Sequence, residues 1–221
     1  MRELYEQVRA SPVTFAILAG GLVLQAVLVV LHGVNKELLD DANFLALDKD
    51  NNLPSWITTA LFVAAGLAMG LLAWLRPRER IPLALLGVVA LLLSLEQMAQ
   101  IHGELEEDLG DAMTLVIQPL LAIGLVAVVA LAARGLPTLS KVLLWAAIAC
   151  IAVSQLSSMV NSETDPPYAL VVFFQTVEEV GEMLTAILLI AAAAQPALDA
   201  IRARLLDESE RERLEAPQSL A

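Results

Sequence analysis

Residues 81–93 read IPLALLGVVALLL, and the seven residues that follow, 94–100, read SLEQMAQ. A helix needs about 20 predominantly apolar residues to cross the hydrocarbon core of a bilayer. The two stretches together have that length, so they predict a membrane-spanning helix with a glutamate and two glutamines near one end. A segment of matching character, TVEEVGE, lies at 176–182 inside another apolar run. The same kind of polar cluster therefore occurs in two hydrophobic segments.

The composition of the whole chain also indicates a membrane protein. Of its 221 residues 58% are hydrophobic, whereas about 45–50% is usual for a soluble domain. Only 5% are aromatic, and the abundance of Ala, Leu and Val favours helices over the alternating strands of a membrane barrel. The single cysteine, Cys150, excludes a disulfide within the chain. The sequence contains no basic patch typical of nucleic-acid binding, no Gly-rich phosphate loop and no Ser/His/Asp arrangement, which favours a role other than catalysis without deciding it.

Six apolar segments are long enough to span a bilayer, and Gly and Pro residues separate them. The sequence therefore predicts an all-α fold, a polytopic bundle of six transmembrane helices in residues 1–198, followed by a charged cytoplasmic tail in 199–221. The predicted spans are 12–33, 54–75, 81–101, 112–133, 139–160 and 168–194.

The basic residues predict the orientation of these spans, because Lys and Arg in short loops accumulate on the cytoplasmic side. On the six-span topology nearly all of them fall on one side of the membrane, and only Lys36 and Lys49 fall on the other. Both termini are therefore predicted to be cytoplasmic, in a bacterial inner membrane. The residues on the cytoplasmic side are Arg2, Arg9, Arg76, Arg78, Arg80, Arg134, Lys141, Arg202, Arg204, Arg211 and Arg213.

Polar side chains inside the spans concentrate in the outer half of the membrane on this topology. An ionisable side chain at the bilayer centre costs about 2.5–3.5 kcal/mol on an insertion scale, so we expect these residues to face one another or a wet cavity. Gln25, Gln118 and Gln155 are predicted to form hydrogen bonds between helices. The other members of this layer are His32, Glu96, Gln97, Gln100, His102, Ser154, Gln175, Glu178, Glu179 and Glu182.

The acids and histidines of this layer predict a cation site. Four Glu and two His match the ligands of a di-iron carboxylate site, but neither histidine follows a Glu by three residues, as that site requires. The set could instead hold one Zn, Mn or Fe ion, or protons. A haem between the two histidines is left open. The predicted ligands are Glu96, His102, Glu178 and Glu182, with His32 and Glu179 in support.

The stretch SLEQMAQIHGEL at 94–105 resembles an uncharacterised family of bacterial multi-pass inner-membrane proteins. In that family the third helix ends in Ser-Leu-Asp-Glu…Ile-His-Glu, and a late helix carries Glu-Glu…Glu-Met. Gln97 and Gly103 depart from the pattern, which has acids at both places. The resemblance implies an architecture and a site, and no reaction. The matching residues are Ser94, Leu95, Glu96, Ile101, His102, Glu178, Glu179, Glu182 and Met183.

Two further functions remain open from the sequence. The matched segments 94–100 and 176–182 lie on the third and sixth spans, the last of each three-span half. A half with three spans begins and ends on opposite sides of the membrane, so the next half has the inverted orientation. Inverted repeats of transporters place ion sites at the repeat interface. A proton- or cation-coupled transporter is therefore one alternative, and a structural subunit of a membrane assembly is another. The lipid bilayer is the one partner that the composition predicts, and protein partners stay open.

Overall fold

The computed structural model describes residues 2–38, 43–45, 52–99, 116–163 and 167–215. Within these ranges the chain is helical with no β-strand, which confirms the all-α prediction. A short 3-10 helix lies at Asn43–Leu45. The α-helices are α1 Arg2–Ala10, α2 Pro12–Leu38, α3 Leu53–Leu75, α4 Arg80–Ala99, α5 Gln118–Ala133, α6 Thr138–Glu163 and α7 Tyr168–Glu215.

Five of these helices are long and apolar enough to cross a membrane, namely α2, α3, α4, α6 and α7. The fifth helix is apolar but shorter, at Pro119–Ala133. Its predicted span, 112–133, begins among residues that lie outside the described ranges, so the sixth span stays a prediction. The described helices are those of a multi-pass membrane protein.

Local sequence signals account for where α3 begins. Asn52 is its N-cap, with a side-chain oxygen, Oδ1, that accepts a bond of 3.0 Å from the backbone N–H of Ser55. Pro54 occupies the first turn, where the absence of a backbone N–H has no cost. A cap of this kind contributes about 1 kcal/mol to helix stability, and it fixes the end of α3 opposite to the basic turn that follows Leu75.

The last helix, α7, continues past the end of its predicted span. It runs through Pro196 to Glu215, a length of 48 residues, or about 70 Å at 1.5 Å per residue. Since the hydrocarbon core is about 30 Å thick, the charged end of α7 projects beyond it. Next to Pro196 the side chain of Gln195 donates a hydrogen bond of 2.9 Å to Asp199, which bridges the turn around the proline.

Five helices form a closed ring in which each packs against the next: α3, α4, α5, α6, α7 and back to α3. The second helix, α2, packs on the outside of this ring against α7, and α1 packs against α6 and α2. Lipid tails are as apolar as leucine, so such helices associate through close packing and hydrogen bonds more than through the hydrophobic effect. The close approach of α3 to α4 follows from two glycines, because a Cβ on Gly87 would lie 3.0 Å from the carbonyl oxygen of Gly66.

One end of the bundle collects the basic turns and is tied together by side chains. Arg76, after α3, donates a bond of 2.9 Å to the carbonyl of Gly135, after α5. Arg204 on α7 lies 3.4 Å from the carbonyl oxygen of Leu75 and stacks over the ring of Trp74 at 4.8 Å. We call this end, where α3 and α5 finish and α4 and α6 begin, the basic end.

Candidate functional site

Glu182 is a buried carboxylate at the contact of three helices of the ring. It lies on α7, and its side chain is 8% exposed. One of its oxygens, Oε2, accepts a hydrogen bond from the amide of Gln97 on α4. The other, Oε1, lies 3.5 Å from the hydroxyl of Ser154 on α6, which donates to it. We call Gln97, Ser154 and Glu182 the axial cluster.

A glycine next to Glu182 explains why Ser154 reaches it. A Cβ on Gly181 would lie 3.0 Å from both the carbonyl oxygen of Cys150 and the Cβ of Ser154, so only glycine lets α6 and α7 come this close. One turn farther along α7, the hydroxyl of Thr185 donates to the carbonyl of Gly181 at 2.8 Å and lies 3.4 Å from that of Ala147. This tight contact fixes the position of Glu182 against α6.

Two further carboxylates interact electrostatically with Glu182. They are Glu178, one turn earlier on α7, and Glu96, the neighbour of Gln97 on α4. Both are half-buried. Residues four apart share a helix face, which brings Glu178 and Glu182 to the same side of α7. Three of the six predicted cation ligands are therefore close enough to interact.

Two of the other predicted ligands, Glu179 and His32, lie on α7 and α2. Glu179 is about 100° around α7 from Glu178 and has one buried oxygen, Oε2. His32 on α2 is 5% exposed, but it is seven residues beyond Gln25 and so about 10 Å farther along that helix. His102 falls in residues 100–115, which the structure does not describe.

The packing of α2 against α7 shows where His32 lies relative to the axial cluster. Gln25 donates a bond of 2.6 Å to the carbonyl of Val180, and nearer the basic end Thr14 donates one of 3.1 Å to that of Ala191. The two helices are therefore antiparallel, and Gln25 is level with the cluster. His32 lies on the side of Gln25 that faces away from the basic end.

The three interacting carboxylates do not form a ready-made metal site. Across the ranges that the structure describes, no group of three or more His, Cys, Asp or Glu side chains is arranged to hold a metal ion. At Glu182 the two carboxylate oxygens accept hydrogen bonds from an amide and a hydroxyl.

A small apolar cavity of about 20 Å³ lies between α4, α5, α6 and α7, next to the axial cluster. Its lining includes Leu93 on α4, Ile151 on α6 and Thr185 on α7, each one turn nearer the basic end than a member of the axial cluster. Leu125 and Val129 of α5 complete that side of the ring. Apolar side chains therefore separate Glu182 from the basic end.

The predicted hydrogen bonds between helices have different outcomes. The prediction for Gln25 is confirmed by its bond to Val180. The prediction for Gln155 is wrong, because this side chain is exposed on the outside of α6 while its neighbour Ser154 faces inward. Gln118 begins α5, and its side chain is outside what the structure describes. The role of Gly181 is not among the predictions from the sequence, although a glycine directly before an intramembrane acid is a visible signal.

Comparison with protein families matches residues 14–195 to a domain of unknown function, DUF8692. The chain belongs to the DUF8692 family. The match extends from α2 to the end of the predicted sixth span, so it includes every member of the axial cluster. No curated protein and no solved structure matches this DUF8692 chain.

Proposed function

We propose that this DUF8692 protein is an integral protein of the bacterial inner membrane that binds a cation at Glu182. The observation that carries the proposal is the burial of this carboxylate between three helices, with two more carboxylates in electrostatic range. An acid inside a membrane bundle is a functional site by default, because a charge there is costly unless it is neutralised or paired. A bound cation supplies that neutralisation.

The proposed orientation has both termini in the cytoplasm and Glu182 in the outer half of the membrane. The gathering of Arg76 and Arg204 at the basic end supports it, since positive charge accumulates on the cytoplasmic side. From Arg80 to Gln97 the distance along α4 is about 26 Å at 1.5 Å per residue, which is most of the roughly 30 Å core. The axial cluster would then open outward, with the apolar cavity below it.

The cation that the described arrangement favours is a proton. A protonated carboxyl group needs no further ligands and still accepts hydrogen bonds from Gln97 and Ser154. A divalent ion would have to displace the amide of Gln97 and recruit Glu96, Glu178 and His102. Metal binding requires deprotonated ligands, so uptake of Zn, Mn or Fe by these residues would release the proton.

This exchange can be measured directly. Zn²⁺ or Mn²⁺ is added to the detergent-purified protein in weak buffer while the pH is recorded. We expect acidification, reduced in Glu182→Gln and in Glu96→Gln. Glu6→Gln, which changes an exposed acid on α1, is the matched control and should release as much as the wild type. If no proton is released, or if all three variants behave alike, these carboxylates do not bind a divalent metal ion, which leaves a bound proton or a structural role.

A second candidate function, proton- or cation-coupled transport, is favoured by the way the helices pair. The third helix packs on α4 as α6 packs on α7, and α2 packs on α7 as α5 packs on α4. Exchanging α2, α3 and α4 for α5, α6 and α7 maps these pairs onto one another, as inverted three-helix repeats would, whereas the contact between α3 and α7 has no counterpart of similar extent between α6 and α4. In sealed proteoliposomes, transport predicts proton flux down an imposed pH gradient that Glu182→Gln abolishes. Binding without transport predicts no flux.

A further inference from the structure

We propose that the groove between α4 and α5 at the basic end binds the headgroup of an anionic phospholipid. The groove contains a cavity of about 450 Å³, which is within the usual size of a small-molecule site. Two arginines from different turns lie at it, and its remaining lining is mostly apolar. The lining residues are Arg78, Glu79, Pro82, Leu131, Arg134 and Gly135.

The two arginines give the groove its selectivity for an anion. Arg78 lies in the turn between α3 and α4, Arg134 follows α5, and both are exposed. The planar guanidinium group binds phosphate oxygens through paired hydrogen bonds. A basic loop is sufficient to orient a membrane protein, but orientation does not require that arginines from two loops meet at one cavity. Basic pockets between transmembrane helices are the sites at which anionic lipid headgroups bind.

A hydrogen bond keeps the two turns together. The guanidinium group of Arg76 donates a hydrogen bond of 2.9 Å to the carbonyl oxygen of Gly135. The side chain of Glu79 packs directly over Gly135, so that a Cβ there would displace the glutamate side chain. The turns that carry Arg78 and Arg134 are therefore held next to each other at the mouth of the groove.

Glu79 opposes an anion in the same groove. It is the one acid among the lining residues, so two positive charges face one negative charge. The excess of positive charge favours a phosphodiester with a single negative charge. Glu79 also allows an experiment to distinguish a defined site from a general basic surface. If the anion binds in this groove, removal of the Glu79 charge should strengthen binding.

The apolar surface beside the groove favours a lipid over free phosphate. On α4 the residues Ile81, Leu85, Val88 and Leu92 are all exposed along one stripe that leads away from Arg78. On α5 the side chain of Leu131 is exposed at the groove itself. Acyl chains attached to a headgroup between Arg78 and Arg134 would lie against these side chains, whereas inorganic phosphate would make none of those contacts.

Native mass spectrometry of the full chain with equimolar phosphatidylglycerol and phosphatidylcholine tests the proposal. We expect preferential retention of phosphatidylglycerol, weakened about fivefold by Arg78→Gln and by Arg134→Gln, from roughly 1 kcal/mol per arginine near a lipid surface. Glu79→Gln should bind phosphatidylglycerol more tightly than the wild type. Arg202→Gln removes an exposed arginine of α7 away from the groove and should leave binding unchanged.

Three outcomes would overturn the proposal. Equal retention of the two lipids would remove the headgroup preference. Equal losses in the Arg78, Arg134 and Arg202 variants would show a diffuse electrostatic effect in place of a site. Displacement of phosphatidylglycerol by millimolar inorganic phosphate would show that the acyl chains contribute nothing. Arg78→Lys keeps the charge and should retain part of the affinity, which guards against a variant that fails to fold.

Discussion

The carboxylate of Glu182 on α7 accepts a hydrogen bond from the amide of Gln97 on α4, 85 residues earlier in the chain. The bond joins α4 to α7, which are not neighbours in the ring. Since the side chain of Glu182 is buried, the amide of Gln97 replaces water as a partner of this carboxylate. The two polar segments of the sequence, 94–100 and 176–182, are therefore partners in one cluster.

Replacing Gln97 by Leu should destabilise the protein. The substitution leaves the buried Glu182 without its amide donor, and loss of a hydrogen bond to a charged or buried group costs about 1–3 kcal/mol. Thermal unfolding in detergent should show a lower Tm. Gln155→Leu makes the same chemical change at an exposed position of α6 and should alter stability by no more than about 0.5 kcal/mol. Equal shifts in both variants would count against the bond.

Gly181→Ala should separate α6 from α7. The added Cβ would lie 3.0 Å from the carbonyl oxygen of Cys150 and from the Cβ of Ser154, and such overpacking costs about 1–3 kcal/mol. The matched control is Gly124→Ala on α5, where an added Cβ has nothing within 4 Å. Thermal unfolding should show a loss for the first variant and none for the second. A neutral Gly181→Ala would mean that the helices are not in close contact there.

Arg204→Ala should loosen the charged end of α7 from α3. The guanidinium group lies 4.8 Å from the ring centroid of Trp74, and a cation–π contact at an exposed site contributes about 0.5–1 kcal/mol. Limited proteolysis should then cleave the region after Pro196 faster than in the wild type. Arg202→Ala, two residues earlier and exposed, should be cleaved at the wild-type rate. Identical rates in all three proteins would contradict the contact.

Single-cysteine labelling should reveal the orientation. In a Cys150→Ser background, Phe44→Cys lies in the connection between α2 and α3, and Arg78→Cys lies at the basic end. A membrane-impermeant maleimide applied to intact cells with a permeable outer membrane should label the first and not the second. The reversed pattern would put the axial cluster in the inner half of the membrane and so overturn the proposed outward opening.

The sequence predicts the helices well because their length and hydropathy are set by the bilayer. The sequence does not predict the rotation of each helix about its axis, which decides which side chains face the interior of the bundle. Ser154 and Gln155 lie at the same depth, and the packing of Gly181 against α6 makes the first inward and the second exposed.

Pro196 illustrates a different limit of sequence reasoning. A proline inside a helix removes one backbone hydrogen bond, and the predicted last span ends at residue 194, two residues before it. The helix continues to Glu215, since strong helix formers flank the proline and Gln195 bonds to Asp199 across it. The proline destabilises the helix only locally, and the helix-forming residues on both sides outweigh this loss of stability.

Infrared spectroscopy tests the central claim most directly, because it detects the proton on a carboxyl group through its C=O stretch. The purified protein in lipid is titrated with acid and base while the carboxylic-acid band is followed. A proton bound at Glu182 predicts a titrating band that is missing from Glu182→Gln, present in Glu6→Gln and shifted in Gln97→Leu, which loses the hydrogen bond to that group. A spectrum of Glu182→Gln that retains every titrating carboxylic-acid band of the wild type would contradict cation binding at Glu182.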